Sequence, residues 1–355
     1  MNGSYYGYES VTIETPEERE IKKRKQRRLF SRVFLALFLY LVVSQVASTA
    51  VYTVASVIMQ PEKYIAFAES YFWSVIVSCA AQYLIAFPVF LIALLGTKKA
   101  SAKEKSKLTV KEFLLFFFIS EALMLIGNII GNILNSVIGS LIGGVPENEI
   151  SNIISEIPEW LIFVLMVILA PIVEELICRK LVIDRLSVYG DHIAIIFSAV
   201  AFGLLHGNLY QFFYAALLGA LLGYVYARTR DVKYTILLHM IINFMGSIVA
   251  LPVEKAMYTF YELYDLLLAG ESVNILALMA NGAILLIYEN LQYGMLIGGI
   301  YALVNMWKKK KILVSRDKEI FLPDSEIVKG GILNVGSILF ILLCAVFMFL
   351  NIFFT

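Results

Sequence analysis

The chain has 355 residues, of which 60% are hydrophobic and 16% are charged. Soluble domains are about 45–50% apolar and about 25% charged, so this composition excludes an ordinary soluble protein. The formal net charge of +1 gives no sign of a nucleic-acid partner, and we predict none. The apolar residues occur in blocks of about twenty, the length that crosses about 30 Å of hydrocarbon. Because lipid cannot satisfy backbone groups, the sequence predicts an all-α, polytopic transmembrane helical bundle with about eight or nine spans in the bilayer.

The N-terminal part is a polar tail followed by three predicted spans. The tail, residues 1–32, ends in a cluster of lysines and arginines, and residues 33–156 hold the N-terminal transmembrane helices. Pro88 predicts a kink in the second span, because proline removes a backbone hydrogen bond. The three spans are 33–59, 71–95 and 113–142.

The central part, residues 157–253, holds four predicted spans and the most unusual polar residues. The first of the four begins near Trp160, and the others are 193–205, 212–227 and 234–251. Two of these helices carry small residues at every fourth position, which lets helix backbones approach closely in lipid. The small residues are Ala199, Gly203 and Gly207 in one helix and Ala215, Gly219, Gly223 and Ala227 in the next.

The C-terminal part, residues 254–355, is predicted to begin with an acidic loop that contains several tyrosines. The apolar block that follows, 273–305, is long enough to suggest two spans. A second span there would place the lysines at 308–311 outside the cell, so we interpret the block as one long span. The last predicted span is 332–354.

Lysine and arginine in the short loops predict the orientation of the chain. Basic residues precede the first span and recur after every second span, whereas the loops between them are acidic. Cytoplasmic loops carry the excess of lysine and arginine. We therefore predict a multi-pass protein of the cell membrane with a cytoplasmic N-terminus, with Lys103 in the cytoplasm and Glu149 outside. The outer acidic loop after the third span carries Glu147, Glu149, Glu156 and Glu159.

The fourth span contains ionisable residues, which are costly in lipid and usually mark function. Glu174 and Glu175 are adjacent, so a helix points them about 100° apart and gives them different tasks. Glu175 lies four residues before Arg179, the favoured order for an ion pair, and that pair would leave Glu174 free. Pro171 removes a backbone hydrogen bond one turn earlier. An interfacial charge cluster at a helix end is the alternative interpretation.

Two further motifs place polar side chains on the fifth and seventh spans. Phe202 and His206, and likewise His239 and Asn243, are four residues apart, so each pair lies on one helix face. A lone histidine in a membrane helix is often only a packing residue. Glu174 and His206 lie at similar distances from the turn that joins their two spans, so we expect them to meet His239 at a similar depth.

A glutamate beside a histidine in an apolar site is a plausible activator of water. A second histidine with an amide on the same helix face offers hydrogen-bond donors to a developing oxyanion. Zinc is an alternative cofactor, with Glu174, His206 and His239 as its ligands. We predict no cofactor, because the sequence lacks a His-Glu-x-x-His pair and the ligands would come from three separate helices.

Together, the three motifs resemble those of the CPBP family, which includes type II CAAX prenyl proteases and bacterial bacteriocin-immunity proteins of the Abi type. That family shows Glu-Glu-x-x-x-Arg, Phe-x-x-x-His and His-x-x-x-Asn in this order. One such motif is a weak signal, but all three in order on hydrophobic helices form a specific pattern. The matching residues are Glu174, Glu175, Arg179, Phe202, His206, His239 and Asn243.

The resemblance implies an intramembrane endopeptidase that uses glutamate-activated water on a membrane-embedded or membrane-associated peptide. It implies that Glu174 and His206 activate the water and that His239 and Asn243 stabilise the oxyanion. Supporting roles are implied for Glu175, Arg179 and Phe202. Two other functions stay open, namely a non-catalytic immunity or scaffold protein and a transporter. The lack of a convincing internal repeat counts against a transporter.

Five other residues in or near the spans are assigned no catalytic role. We interpret Glu121 and Glu289 as interfacial or helix–helix polar contacts. Cys79, Cys178 and Cys344 lie inside apolar blocks without metal-binding spacing, so we predict that they are buried packing residues.

Overall fold

A computed structural model describes residues 14–144, 146, 149–309, 314 and 316–354 of the chain. These residues form helices and no strand, and eight of the helices are long and apolar enough to cross a membrane. The finding confirms the predicted all-α, polytopic helical bundle. Residues 1–13 of the predicted tail lie outside the described part, as do Glu147 and the lysines at 310 and 311.

We number the helices in chain order. The N-terminal helices are α1 (Pro16–Ile58), α2 (Pro61–Ala68), α3 (Tyr71–Ala93), α4 (Val110–Ile142) and α5 (Glu149–Glu156). The central helices are α6 (Glu159–Tyr189), α7 (Asp191–Leu205), α8 (Leu209–Thr229) and α9 (Val232–Leu268). The C-terminal helices are α10 (Ile275–Lys308), α11 (Asp324–Ile332) and α12 (Val335–Phe354). The 15 residues of α7 extend only about 22 Å, less than the thickness of the hydrocarbon.

Helix α1 begins well before the predicted span. Thr15 and Glu18 form a capping box, in which each side chain accepts a hydrogen bond from the backbone N–H of the other residue. The cap satisfies N–H groups that lack partners at the start of the helix, and Pro16 fits the first helical position. The basic part of the tail is therefore continuous with the first span in one helix of 43 residues.

The predicted acidic loop after residue 251 is wrong, because helix α9 continues to Leu268. A π-helical turn, Met245–Val249, lies just before this extension and precedes Pro252. The extension packs against α10, where a Cβ on Gly282 would lie 3.0 Å from the Phe260 ring. Packing on a neighbouring helix, which the local composition does not reveal, thus overrides the polar character of the segment. The following block is one helix, α10, as predicted.

Small residues bring α7 and α8 into close contact, as their spacing predicts. A Cβ on Gly203 would lie 2.7 Å from the backbone oxygen of Phe212, and one on Gly219 would lie 3.2 Å from the Cα of Ala199. These contacts leave no room for larger side chains. The pair holds Phe202, which is fully buried, in a defined position beside α6.

The basic loops meet at one end of the bundle. Lys103 and Arg230 both pair with Asp191, and Arg228 pairs with Glu112, so the loop after α3 and the end of α8 lie together with the starts of α4 and α7. Nearby, a hydrogen bond from Lys318 holds the pKa of Asp324 below its usual value. A single basic end is what the alternation of basic and acidic loops requires.

Candidate active site

A cavity of about 610 Å³ lies among the central helices, with α3, α4 and α10 contributing to its walls. The four predicted catalytic residues, Glu174, His206, His239 and Asn243, all line it. Glu174 comes from α6, His206 follows α7, and the other two come from α9. The structure thus brings together residues that are as much as 69 positions apart in the sequence (174 to 243).

The backbone around Glu174 departs from regular α-helix on both sides. A short α-helical stretch, Ala170–Glu175, lies between two π-helical turns, Phe163–Leu169 and Leu176–Ile183. Each π-turn is wider than an α-turn and changes the direction in which the following side chains point. This irregularity agrees with the effect predicted for Pro171. A π-turn, Ala81–Ala86, likewise precedes Pro88 in α3.

Glu175 and Arg179 form the predicted ion pair, and both side chains are fully buried. Arg179 Nε donates to Glu175 Oε2 at 3.0 Å, and Arg179 Nη2 donates to Glu175 Oε1 at 3.1 Å. Arg179 Nη1 also donates to Ser198 Oγ at 3.0 Å, and its Cζ lies 4.8 Å from the centre of the Phe202 ring. A guanidinium is suited to such paired contacts because its N–H groups form a planar fork.

His239 lies between the two adjacent glutamates. Its Nδ1 is 3.2 Å from Glu175 Oε1, and its Nε2 is 3.7 Å from Glu174 Oε2. Because the Glu175 carboxylate also accepts from Arg179, the short contact is best described as an Nδ1–H donating to Glu175. That hydrogen bond turns the other ring nitrogen toward Glu174. The Glu174 side chain is 30% exposed, whereas that of Glu175 is 0% exposed.

His206 is held by the residue four positions before it. His206 Nδ1 lies 2.8 Å from the backbone oxygen of Phe202, and because a carbonyl can only accept, Nδ1 carries the proton. In the neutral ring, Nε2 is then left as an acceptor. The Phe202 ring packs edge-on against both histidines, with centroid distances of 5.0 Å to His206 and 5.6 Å to His239. Phe202 therefore contacts both histidines as well as Arg179.

Asn243 is anchored to the irregular part of α6. Its Nδ2 donates to the backbone oxygen of Met166 at 2.8 Å. In the π-helical turn, the Ala170 N–H donates to the backbone oxygen of Leu165, five residues earlier. The next hydrogen bond of this pattern would run from the nitrogen of Pro171 to the backbone oxygen of Met166. Proline has no N–H, so the Met166 oxygen is available to Asn243. The amide keeps a second N–H that can donate to another group.

Three features of this region were not predicted from the sequence. Ser198 accepts from Arg179 and donates to the Cys178 oxygen, and its position four residues before Phe202 could have indicated its role.

Glu121 lines the cavity, is 7% exposed, and has one carboxylate oxygen without a partner among the described residues. The prediction that it forms an interfacial or helix–helix polar contact is therefore wrong, whereas Glu289 is exposed on α10. Cys178 and Cys344 are buried as predicted, but half-buried Cys79 lines the cavity.

The candidate zinc ligands do not form a metal site. Within the described ranges, no three histidine, cysteine, aspartate or glutamate side chains are arranged to hold a metal ion. The Nδ1 atoms of His206 and His239 are both engaged with protein oxygens, and His239 Nε2 lies 3.7 Å from Glu174 Oε2. In this structure, Glu174, His206 and His239 are not arranged as a three-ligand metal site.

Comparison with known families agrees with the motifs. The model of a family described as type II CAAX prenyl endopeptidase, Rce1-like, matches residues 156–245. The matched segment is about a quarter of the chain and contains every residue of the three motifs. The match confirms the resemblance to CPBP-family intramembrane proteases and indicates a peptide hydrolase. No curated protein and no solved structure matches the chain.

Proposed function

We propose that the chain hydrolyses a peptide bond of a membrane-associated peptide within the membrane, a proposal that the match of residues 156–245 to the Rce1-like family supports. The observation that carries the proposal is the convergence of Glu174, His206, His239 and Asn243 on one cavity. Of the two adjacent glutamates, Glu175 is bound by Arg179 and His239, whereas Glu174 lines the cavity.

Water activation is assigned to Glu174 and His206. The Glu174 carboxylate accepts a proton as the water oxygen forms its bond to the peptide carbonyl carbon. His206 Nε2 is an acceptor, because Nδ1–H is held by the Phe202 oxygen, so it can orient the same water. When the carbon–nitrogen bond breaks, the proton on Glu174 passes to the departing amine.

Oxyanion stabilisation is assigned to His239 and Asn243. His239 Nδ1–H is held by Glu175, so the ring donates to the oxyanion through Nε2 in its charged form. Asn243 donates one N–H to Met166 and keeps the other for the oxyanion. Both donors are anchored before substrate binds, which is the condition under which such donors are most effective.

The proposal includes a reaction without a metal, and elemental analysis tests it. We expect purified protein that cleaves a single-span peptide in phospholipid vesicles to contain no stoichiometric zinc and to keep its activity after exhaustive chelation. The physical reason is that no group of three ligands exists among the described residues. A Glu174→Gln protein carried through the same purification controls for a contaminating protease. Zinc at one ion per chain, with activity that disappears on its removal and returns with it, contradicts this mechanism.

We also propose that the basic end of the bundle faces the cytoplasm of a cell whose plasma membrane holds the protein. The charge bias of the short loops supports this orientation. In a background with Cys79, Cys178 and Cys344 replaced by serine, Lys99→Cys probes the basic loop and Ser155→Cys probes the opposite end. Both positions are exposed. An impermeant maleimide added to intact cells is expected to label position 155 and not position 99, and labelling in the reverse order would refute the orientation.

A further inference from the structure

The cavity has a second carboxylate, Glu121 on α4, to which the proposed reaction assigns no role. The residue is 7% exposed, and its Oε1 has no hydrogen-bond partner among the described residues. The packing of α10 holds this turn of α4 tightly, since a Cβ on Gly299 would lie 2.5 Å from Ala122 Cβ and within contact of the Phe118 oxygen. Glu121 is thus held at the cavity wall, and no described residue donates a hydrogen bond to its Oε1.

An ionised carboxylate in this position is costly unless a donor reaches it. Burial of an unpaired charge disfavours the folded protein, and charges within membrane spans are normally paired or functional. Glu121 lies nine residues beyond Glu112, or about 13 Å along the helix from the basic end of the bundle. Several lysines and arginines of the basic end are engaged there in ion pairs, such as Lys103 with Asp191 and Arg228 with Glu112.

The remaining cavity wall supplies no cation either. Among the described residues that line the cavity, none is lysine or arginine. Neutral polar groups are present on the same wall, including Asn128, Tyr288 and Gln292. With Glu174 at the proposed catalytic position, the cavity thus holds two carboxylates, and His239 in its charged form is the one positive side chain among the described residues that line it. A ligand with a free carboxylate would meet repulsion, whereas a cationic ligand would be attracted.

We propose that Glu121 is a specificity-determining residue that binds a protonated lysine or arginine side chain of the peptide substrate. The inference rests on the proposed function in treating the bound peptide as a substrate. The preference for a cation rests on the cavity alone. It narrows the substrate class to a membrane-associated segment with a basic residue near the cleaved bond. Such basic residues are abundant beside membrane spans on the cytoplasmic side.

Charge-selective labelling tests the preference without any need for cleavage. Met124 lines the cavity one helical turn beyond Glu121, so Met124→Cys in a Cys79→Ser background reports the local charge. The probes are methanethiosulfonate ethylammonium and methanethiosulfonate ethylsulfonate, which are similar in size and opposite in charge. The measured ratio is the modification rate of the ammonium reagent at position 124 divided by that of the sulfonate reagent. We expect this ratio to fall about tenfold when Glu121→Gln is added. Cys178 and Cys344 are buried and stay unmodified, and the Cys79→Ser protein serves as the blank.

Glu289→Gln is the matched control for this experiment. It removes the same charge from an exposed position on α10 outside the cavity, so the ratio is expected to stay unchanged. An unchanged ratio with Glu121→Gln overturns the proposal. So does the absence of modification by either probe, since a cavity closed to small cations cannot receive a basic side chain.

A peptide pair separates this inference from the proposed function. Two single-span peptides in vesicles differ only in lysine or glutamine at one position near the cleaved bond. We expect a preference for lysine in kcat/KM that falls about tenfold with Glu121→Gln. If the wild-type protein cleaves neither peptide while the labelling ratio still responds to Glu121, the proposed function fails and the cation-binding site stands. If both peptides are cleaved equally well, the specificity role of Glu121 fails and the endopeptidase stands.

Discussion

Glu174→Gln is expected to lower the rate of peptide-bond hydrolysis by about 10⁴-fold, because glutamine cannot accept the proton of the attacking water. The side chain is 30% exposed, and its ionic contact with His239 is as long as 3.7 Å, so the fold should tolerate the change. The measurement is kcat on a single-span peptide in vesicles, together with thermal unfolding in detergent. His206→Gln is expected to have a similar effect on kcat.

Three further variants test whether the loss of activity arises from the chemical step. Asn243→Ala is expected to lower kcat by about 10²–10³-fold, the usual effect of removing one oxyanion donor. Aspartate has the same shape as asparagine, but its ionised carboxylate cannot donate a hydrogen bond. Asn243→Asp should therefore lose at least as much activity as Asn243→Ala. Glu289→Gln lies outside the cavity and should keep full activity. Glu174→Gln protein that retains a tenth of the wild-type rate would rule out this residue as the base.

Glu175→Ala is expected to lower the free energy of unfolding by about 3–5 kcal/mol, the cost of leaving one member of a buried ion pair without its partner. Arg179 would keep its hydrogen bond to Ser198 but would lose both bonds to the carboxylate. His239 would also lose the acceptor that turns its ring, so activity should fall along with stability. The measurement is denaturant-induced unfolding in detergent, with the loss of helix content as the signal.

Replacing both partners tests the assignment of this loss to an unpaired charge. The double variant Glu175→Met with Arg179→Met removes both charges, and it is expected to be more stable than either single variant. Lys180→Ala is the matched control, because it breaks an i,i+4 pair with Asp184 one residue further along the same helix. Lys180 is 47% exposed in its side chain, so this loss should be no more than about 1 kcal/mol. Wild-type stability of Glu175→Ala would contradict a structural role for the pair.

Local spacing was sufficient to predict the helical spans and the pairing of Glu175 with Arg179. Apolar blocks of membrane-crossing length have few alternatives to helix, because lipid offers no partner for the backbone. An acid four residues before a base faces it across one helical turn, whatever the rest of the fold does. The close contact of α7 with α8 follows in the same way from their small residues. Each of these features depends on residues that are neighbours in the sequence or on one helix face.

The arrangement inside the cavity could not be obtained from spacing. His239 meets Glu175 as well as Glu174, Asn243 bonds to the Met166 oxygen, and Glu121 faces the same space from α4. Each contact joins helices that are distant in the sequence and depends on how those helices are rotated about their axes. The π-turns on both sides of Glu174 alter that rotation. A regular α-helix with 3.6 residues per turn therefore predicts the wrong direction for the side chains beyond them.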